Sequence, residues 1–203
     1  MIRIRCDDVM VESSSFSRER SINRIIQITR WMDKSPQGYF NFIPTILVEE
    51  MEHWPEVIDL IRHNTMAHKM SPQIHGFQHI DYASVDKQTI REHLKKCLVW
   101  FKDYLNYEPT TWATPWGAWT KEMEEVANEF HLTVETTAVT MPIGSAIDYI
   151  KARGVEEFRY SNPTILIHWW EKGLKLLRLT EIVRYGSYKA AQQERPDLFK
   201  ERI

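Results

Sequence analysis

Cysteine is scarce in this chain: Cys6 and Cys97 are the only two in 203 residues. Two thiols cannot make a disulfide framework, so the fold must rest on a core that this length can bury. Both read as small buried apolar residues. Charge of one sign is missing too, since 26 Lys and Arg stand against 28 Asp and Glu. No basic field exists to recruit a nucleic acid or an anionic membrane. No apolar run approaches the roughly 18 residues of a membrane span. The charged start Met1-Ile2-Arg3-Ile4-Arg5 also lacks the apolar centre of a signal peptide. A cytoplasmic protein is the expectation. Repeats and low-complexity linkers are absent, which leaves one domain over 1–203 with 186–203 as a polar, peripheral tail.

What is present alternates. Ile2 and Ile4 interleave with Arg3 and Arg5, the period of two of a half-buried strand. Ile22, Ile25, Ile26 and Met32 recur at helical spacing, and the aromatic, β-branched run over 39–48 reads as a strand. A helix opens at Trp54-Pro55. Ile90, Leu94, Leu98, Phe101 and Leu105 predict a long amphipathic helix with Ser84 as its cap. Thr120 caps another. Residues 132–139 read as a strand, Ser145 and Asp148 resemble the capping box of a helix ending at Gly154, and 164–169 is a buried strand by composition. Leu174 to Val183 reads as a further strand or extended run. This order argues for an α/β fold, a parallel sheet or barrel covered by helices. Chemistry in such folds collects at the carboxyl ends of strands. Asp7-Asp8, the His75 region, the Trp112–Gly117 turn and His168 all fall there.

Asp7 and Asp8 are adjacent, and neighbours on a strand point to opposite faces, so one suits a metal and the other a reacting group. His75 and His79 are four apart; on a helical turn that puts two imidazoles on one face about 5–6 Å apart at Cβ. With Asp8 they make a two-His, one-carboxylate set with open positions. Gly76 stands where the zinc-protease motif needs Glu, which excludes that family. His168 closes the apolar run Ile165-Leu166-Ile167 and suits a general acid at a strand end. His53, His63, His68, His93 and His131 fall in or beside helical patterns without partners and read as structural or exposed.

Asp7-Asp8 after a first strand, His75-Gly76-Phe77-Gln78-His79, Trp112-Ala113-Thr114-Pro115-Trp116-Gly117 and Ile165-Leu166-Ile167-His168 together resemble the polysaccharide deacetylases, the NodB-like enzymes of carbohydrate esterase family four. The resemblance covers most of the chain, from residue 2 to about 170. It implies a distorted, incomplete (β/α) barrel with Asp7 as catalytic base, Asp8, His75 and His79 as ligands of a divalent metal, and His168 as acid. Two departures stand out. Val9-Met10 replaces the usual Gly after the paired Asp, and Ala113 stands where the family carries an Arg that orients the base. Arg5, two residues before Asp7 on the same strand face, is the candidate electrostatic substitute.

The expected chemistry is removal of an N-acetyl group from an amino sugar or glycan. The metal is zinc, with cobalt or nickel as alternatives, and the partner is an acetylated carbohydrate, not nucleic acid. A backbone N–H near Pro115–Gly117 would hold the developing oxyanion. Trp112, Trp116, Trp119, Trp169 and Trp170 would stack on sugar faces. The rival readings are hydrolysis of a non-sugar amide and a catalytically inactive glycan-binding protein.

Overall fold

The alternating start becomes strand β1 (Ile2–Val9), and it lies inside the sheet with partners on both sides. The computed structural model describes residues 2–9, 18–34, 40–136, 140–161, 164–168 and 174–199. Seven strands form one sheet. Besides β1 they are β2 (Phe40–Leu47), β3 (Gln73–Gly76), β4 (Thr111–Ala113), β5 (Thr133–Glu135), β6 (Thr140–Pro142) and β7 (Thr164–His168). Their order is β5-β4-β3-β2-β1-β7-β6, and every pairing is parallel. Parallel pairing forces crossovers, which most of the helices supply.

The sheet is rolled. Arg3 on β1 meets Glu135 on β5 at 2.7 Å, and the Arg5 guanidinium comes within 3.6 Å of the same carboxylate. Those strands lie four places apart, roughly 19 Å in a flat sheet at about 4.8 Å per step. Only curvature brings them within side-chain reach. Among the described residues no ladder joins β5 to β6, so the barrel stays open along that seam. This is the incomplete (β/α) barrel.

Ten α-helices are described: α1 (Arg18–Lys34), α2 (Val48–Met51), α3 (Pro55–Met66), α4 (Lys87–Trp100), α5 (Lys121–Glu129), α6 (Ile143–Arg153), α7 (Val155–Tyr160), α8 (Leu174–Arg184), α9 (Tyr188–Glu194) and α10 (Pro196–Phe199). None is long and apolar enough to cross a membrane. Thr120 caps α5 as expected, its hydroxyl accepting the Met123 N–H. Several expectations need correcting. The cap of α4 is Asp86, accepting from Thr89 N–H, while Ser84 belongs to a short 3-10 turn capped by Asp81. α6 starts at Ile143 without a side-chain cap, so Ser145 and Asp148 are interior helical residues, although Gly154 does end it at φ 93°. Residues 174–183 are helix, not strand: buried Leu176, Leu179, Thr180 and Val183 recur at spacings of three and four. Within 186–199, α9 and α10 bury Ala191, Leu198 and Phe199 in the main core cluster, so this stretch is packed rather than peripheral.

A candidate metal centre at the strand ends

β1 does not keep its alternation to the end. Its pairing with β2 jumps from Cys6–Pro44 to Val9–Ile46, and Asp8 sits at φ 58°, in the left-handed region. A bulge of this kind re-aims a side chain. Left-handed backbone costs Asp less than most residues, and such strain gathers at functional sites. The simple opposite-face picture of Asp7 and Asp8 is therefore replaced by a bulge that directs each separately.

Asp8 meets both histidines. Its Oδ1 lies 3.0 Å from His75 Nε2 and 3.0 Å from His79 Nε2. One donor atom from each residue can be chosen so that all three lie within 4.8 Å of one another. Burial works against the charged form of Asp8, but the hydrogen bonds and positive charge of His75 and His79 outweigh it and hold the carboxyl well below the usual carboxylate range. Two strand ends and one loop thus converge: His75 comes from β3, and His79 from the bend after it.

The residues fit a cation. His75 Nδ1 is 2.6 Å from the Ala113 carbonyl, an acceptor, so that nitrogen carries the hydrogen and donates it. Nε2 faces the Asp8 carboxylate at 3.0 Å, where the singly protonated ring offers a lone pair to a cation and the doubly protonated ring donates a hydrogen bond. A backbone carbonyl fixing the far ring nitrogen is the usual support of a metal-binding imidazole. A nitrogen, nitrogen, oxygen set of this type suits zinc and its neighbours.

Asp7 is built differently. Arg5 donates to it through two nitrogens, Nε to Oδ1 at 2.9 Å and Nη2 to Oδ2 at 2.8 Å, and Thr45 Oγ1 donates to Oδ1 at 3.0 Å. Arg5 is fully buried and Asp7 nearly so. A fork-on-carboxylate pair is the most directional ionic contact a protein makes. Ala113 contributes no charge here, and the guanidinium arrives from β1 instead. His168 lies level with Asp7 in the β1–β7 ladder.

The aromatic expectations divide. Trp116 is 66% exposed and its ring meets His79 edge-on, centroids 4.4 Å apart. Trp119 is also exposed, and Gly117 at φ 67° closes the turn between them. Trp112 is a correction: it is completely buried, its indole N–H donates to the His75 carbonyl, and it packs edge-on against Tyr82. It supports the site from behind and cannot touch a sugar. Pro115 is buried as well, so it shapes the turn rather than lining a cleft. Trp169 and Trp170 lie outside the described residues. His93 is a second correction, because it partners Tyr82 at 3.1 Å instead of standing alone. Tyr82 itself carries no motif signal; its place was invisible until the fold put it under the histidine loop.

The polysaccharide deacetylase family model matches residues 42–134. No curated protein matches the chain at a significant level. Among solved structures, a CE4 family pseudoenzyme from Bacillus anthracis superposes with TM-score 0.62 at 15% identity, covering 92% of this chain and 62% of that one. A mutant of it with restored enzymatic activity gives TM-score 0.61 at 16% identity, covering 96% and 63%. The peptidoglycan deacetylase PdaC from Bacillus subtilis gives TM-score 0.56 at 14% identity, covering 97% and 82%. The chain thus spans less than two thirds of the length of the first two.

Proposed function

We propose that this chain, which matches the polysaccharide deacetylase family model over residues 42–134, is a member of that superfamily and a zinc-dependent hydrolase removing N-acetyl groups from an amino sugar or glycan. The observation that carries this reading is the convergence of Asp8, His75 and His79, whose donor atoms lie within 4.8 Å of one another, with His75 Nδ1 engaged by the Ala113 carbonyl so that Nε2 is the nitrogen aimed into the cluster. Asp8, His75 and His79 would hold the ion, with cobalt or nickel as substitutes. When bound, the ion polarises the acetyl carbonyl and acidifies water.

The chain's own groups do the rest. Asp7 takes the proton of the attacking water; among the described residues its Oδ2 accepts one bond, from Arg5 Nη2, so a lone pair remains there. As the C–N bond breaks, His168 delivers a proton to the leaving amine. Gly117 and Ala118 N–H groups are committed to the Thr114 and Pro115 carbonyls, which leaves Trp116 N–H as the turn's amide for the developing oxyanion. Trp116 offers an exposed ring face beside His79 for a pyranose. Trp116→Ala should raise KM about 5- to 150-fold, the equivalent of about 1–3 kcal/mol for a lost stacking ring of this size, while the melting temperature stays within a degree or two. An unchanged KM on oligomeric substrate would remove Trp116 from the binding surface.

A catalytically inactive glycan binder is the second reading, favoured by Ala113 at the place of the family's arginine. Purified protein should carry one divalent ion per chain and release acetate from at least one of acetylated amino sugars, sugar oligomers or simple acetamides when supplied with zinc, cobalt or nickel. Stoichiometric metal without acetate from any of them would favour the binder; acetate from acetamides alone would favour a non-sugar amidase.

A further inference from the structure

Between His75 and His79 the chain makes a bend with Phe77 and Gln78 at its turn, and one hydroxyl organises it. Tyr82 Oη accepts the Phe77 N–H at 3.1 Å and the Gln78 N–H at 3.4 Å. Its own hydrogen is then free for His93 Nδ1, 3.1 Å away. Burial presses the Tyr82 hydroxyl towards its neutral form, and burial, helped by Lys96, keeps His93 below its ordinary value, so the donor and the acceptor are both in the required state. The ring is fixed as firmly as the hydroxyl: Tyr82 is buried and meets Trp112 edge-on at 5.0 Å, and Trp112 in turn donates to the His75 carbonyl.

Gly76 is the counterpart. A Cβ there would stand 3.0 Å from both the ring edge and the hydroxyl of Tyr82, and 2.8 Å from the Gln78 carbonyl. The glycine is the space that lets the phenol slide beneath the loop. On the outer side Glu49 N–H donates to the Phe77 carbonyl and Gln78 Nε2 to the Glu49 carboxylate. The two amides that a free loop would offer to water are consumed from inside, and His79 follows directly on the second of them.

We propose that Tyr82, seated on Gly76 and tied to His93, is the positioning residue that sets the geometry of the His75–His79 ligand pair and thereby the metal affinity. This rests on the reading of Asp8, His75 and His79 as a metal site. Without the hydroxyl, the amides of Phe77 and Gln78 lose their acceptor and the loop can relax, carrying His79 away from Asp8.

The test is a zinc titration against a competing chromophoric chelator, using zinc alone as the probe. Tyr82→Phe keeps the ring and removes only the oxygen; zinc affinity should fall about 10–100-fold, the range for lost outer support of a metal ligand. Gly76→Ala, which keeps the phenol but crowds its ring edge and hydroxyl and the Gln78 carbonyl, should lower it in the same direction. Ile61→Val, in the core of α3, is the control that loses stability and keeps wild-type zinc affinity. Amide exchange at Phe77 and Gln78 should quicken in Tyr82→Phe. Wild-type zinc affinity in both loop variants would overturn the proposal while leaving the metal site standing; a wild-type protein that binds no zinc would overturn the metal site and the proposal with it.

Discussion

Asp7→Asn is expected to lower the turnover number by about 10²–10⁴, the range for a lost general base, with one zinc still bound per chain. The proposed ligands Asp8, His75 and His79 are untouched by the change, and Asn fills the same volume, so Oδ1 can still accept from Thr45. From sequence alone the substitution carries no stability cost. The structure adds one: Arg5 would keep its buried charge and lose the carboxylate that neutralises it. Breaking a buried ion pair from one side costs about 3–5 kcal/mol. Activity and melting temperature should therefore both fall, and zinc content measured on the folded fraction separates the two effects. Wild-type turnover in a folded, zinc-loaded Asp7→Asn protein would remove Asp7 from the chemistry.

Arg5→Met is expected to be the most destabilising single change near the site. Met approximates the arginine stem but leaves Asp7 and Glu135 without their shared cation, the first at 2.8 Å and the second at 3.6 Å. The loss should again be about 3–5 kcal/mol, enough to bring a protein of ordinary stability close to its threshold. The double variant Arg5→Met with Asp7→Asn removes both charges of the pair and should recover much of the stability while recovering none of the turnover. That pattern in denaturant midpoints would establish the pair as a coupled unit. Two single-variant costs that simply add would show that Arg5 and Asp7 act independently.

The pattern of what could be read from residue order has a physical basis. Strand β1 and the helical stripes were legible because both rest on short periods. The clustering of Asp8, His75 and His79 was legible because their residue types and the four-residue histidine spacing are local, and alternation of strands with helices places strand ends together. The Arg5–Asp7 pair was half legible, since i and i+2 share a strand face, but its bidentate geometry and the Glu135 contact depend on the roll of the sheet. Trp112 misled for a related reason. It shares a short motif with Trp116, yet it lies within β4 opposite Ile74 and Val134, on the packed side, while Trp116 lies past the strand end in left-handed backbone. Residues 174–183 were misread because a run rich in Leu, Ile and Val contains both periods, and only packing chooses between them.

The position of β1 also governs how the chain reaches this fold. One of its edges pairs with β2, soon after in sequence; the other waits for β7, where Arg3 faces Thr164 and Asp7 faces His168. On a ribosome adding about 5–20 residues per second, that second partner arrives roughly 8–30 s after the first strand. For that interval a strand holding Ile2, Ile4, Cys6 and the buried charges of Arg5 and Asp7 has an open ladder edge, the configuration that invites pairing with another nascent chain. Refolding in dilute solution meets the same delay as a slow, high-contact-order step. Yield should depend on chain concentration far more steeply than for a protein whose central strand finds both neighbours early.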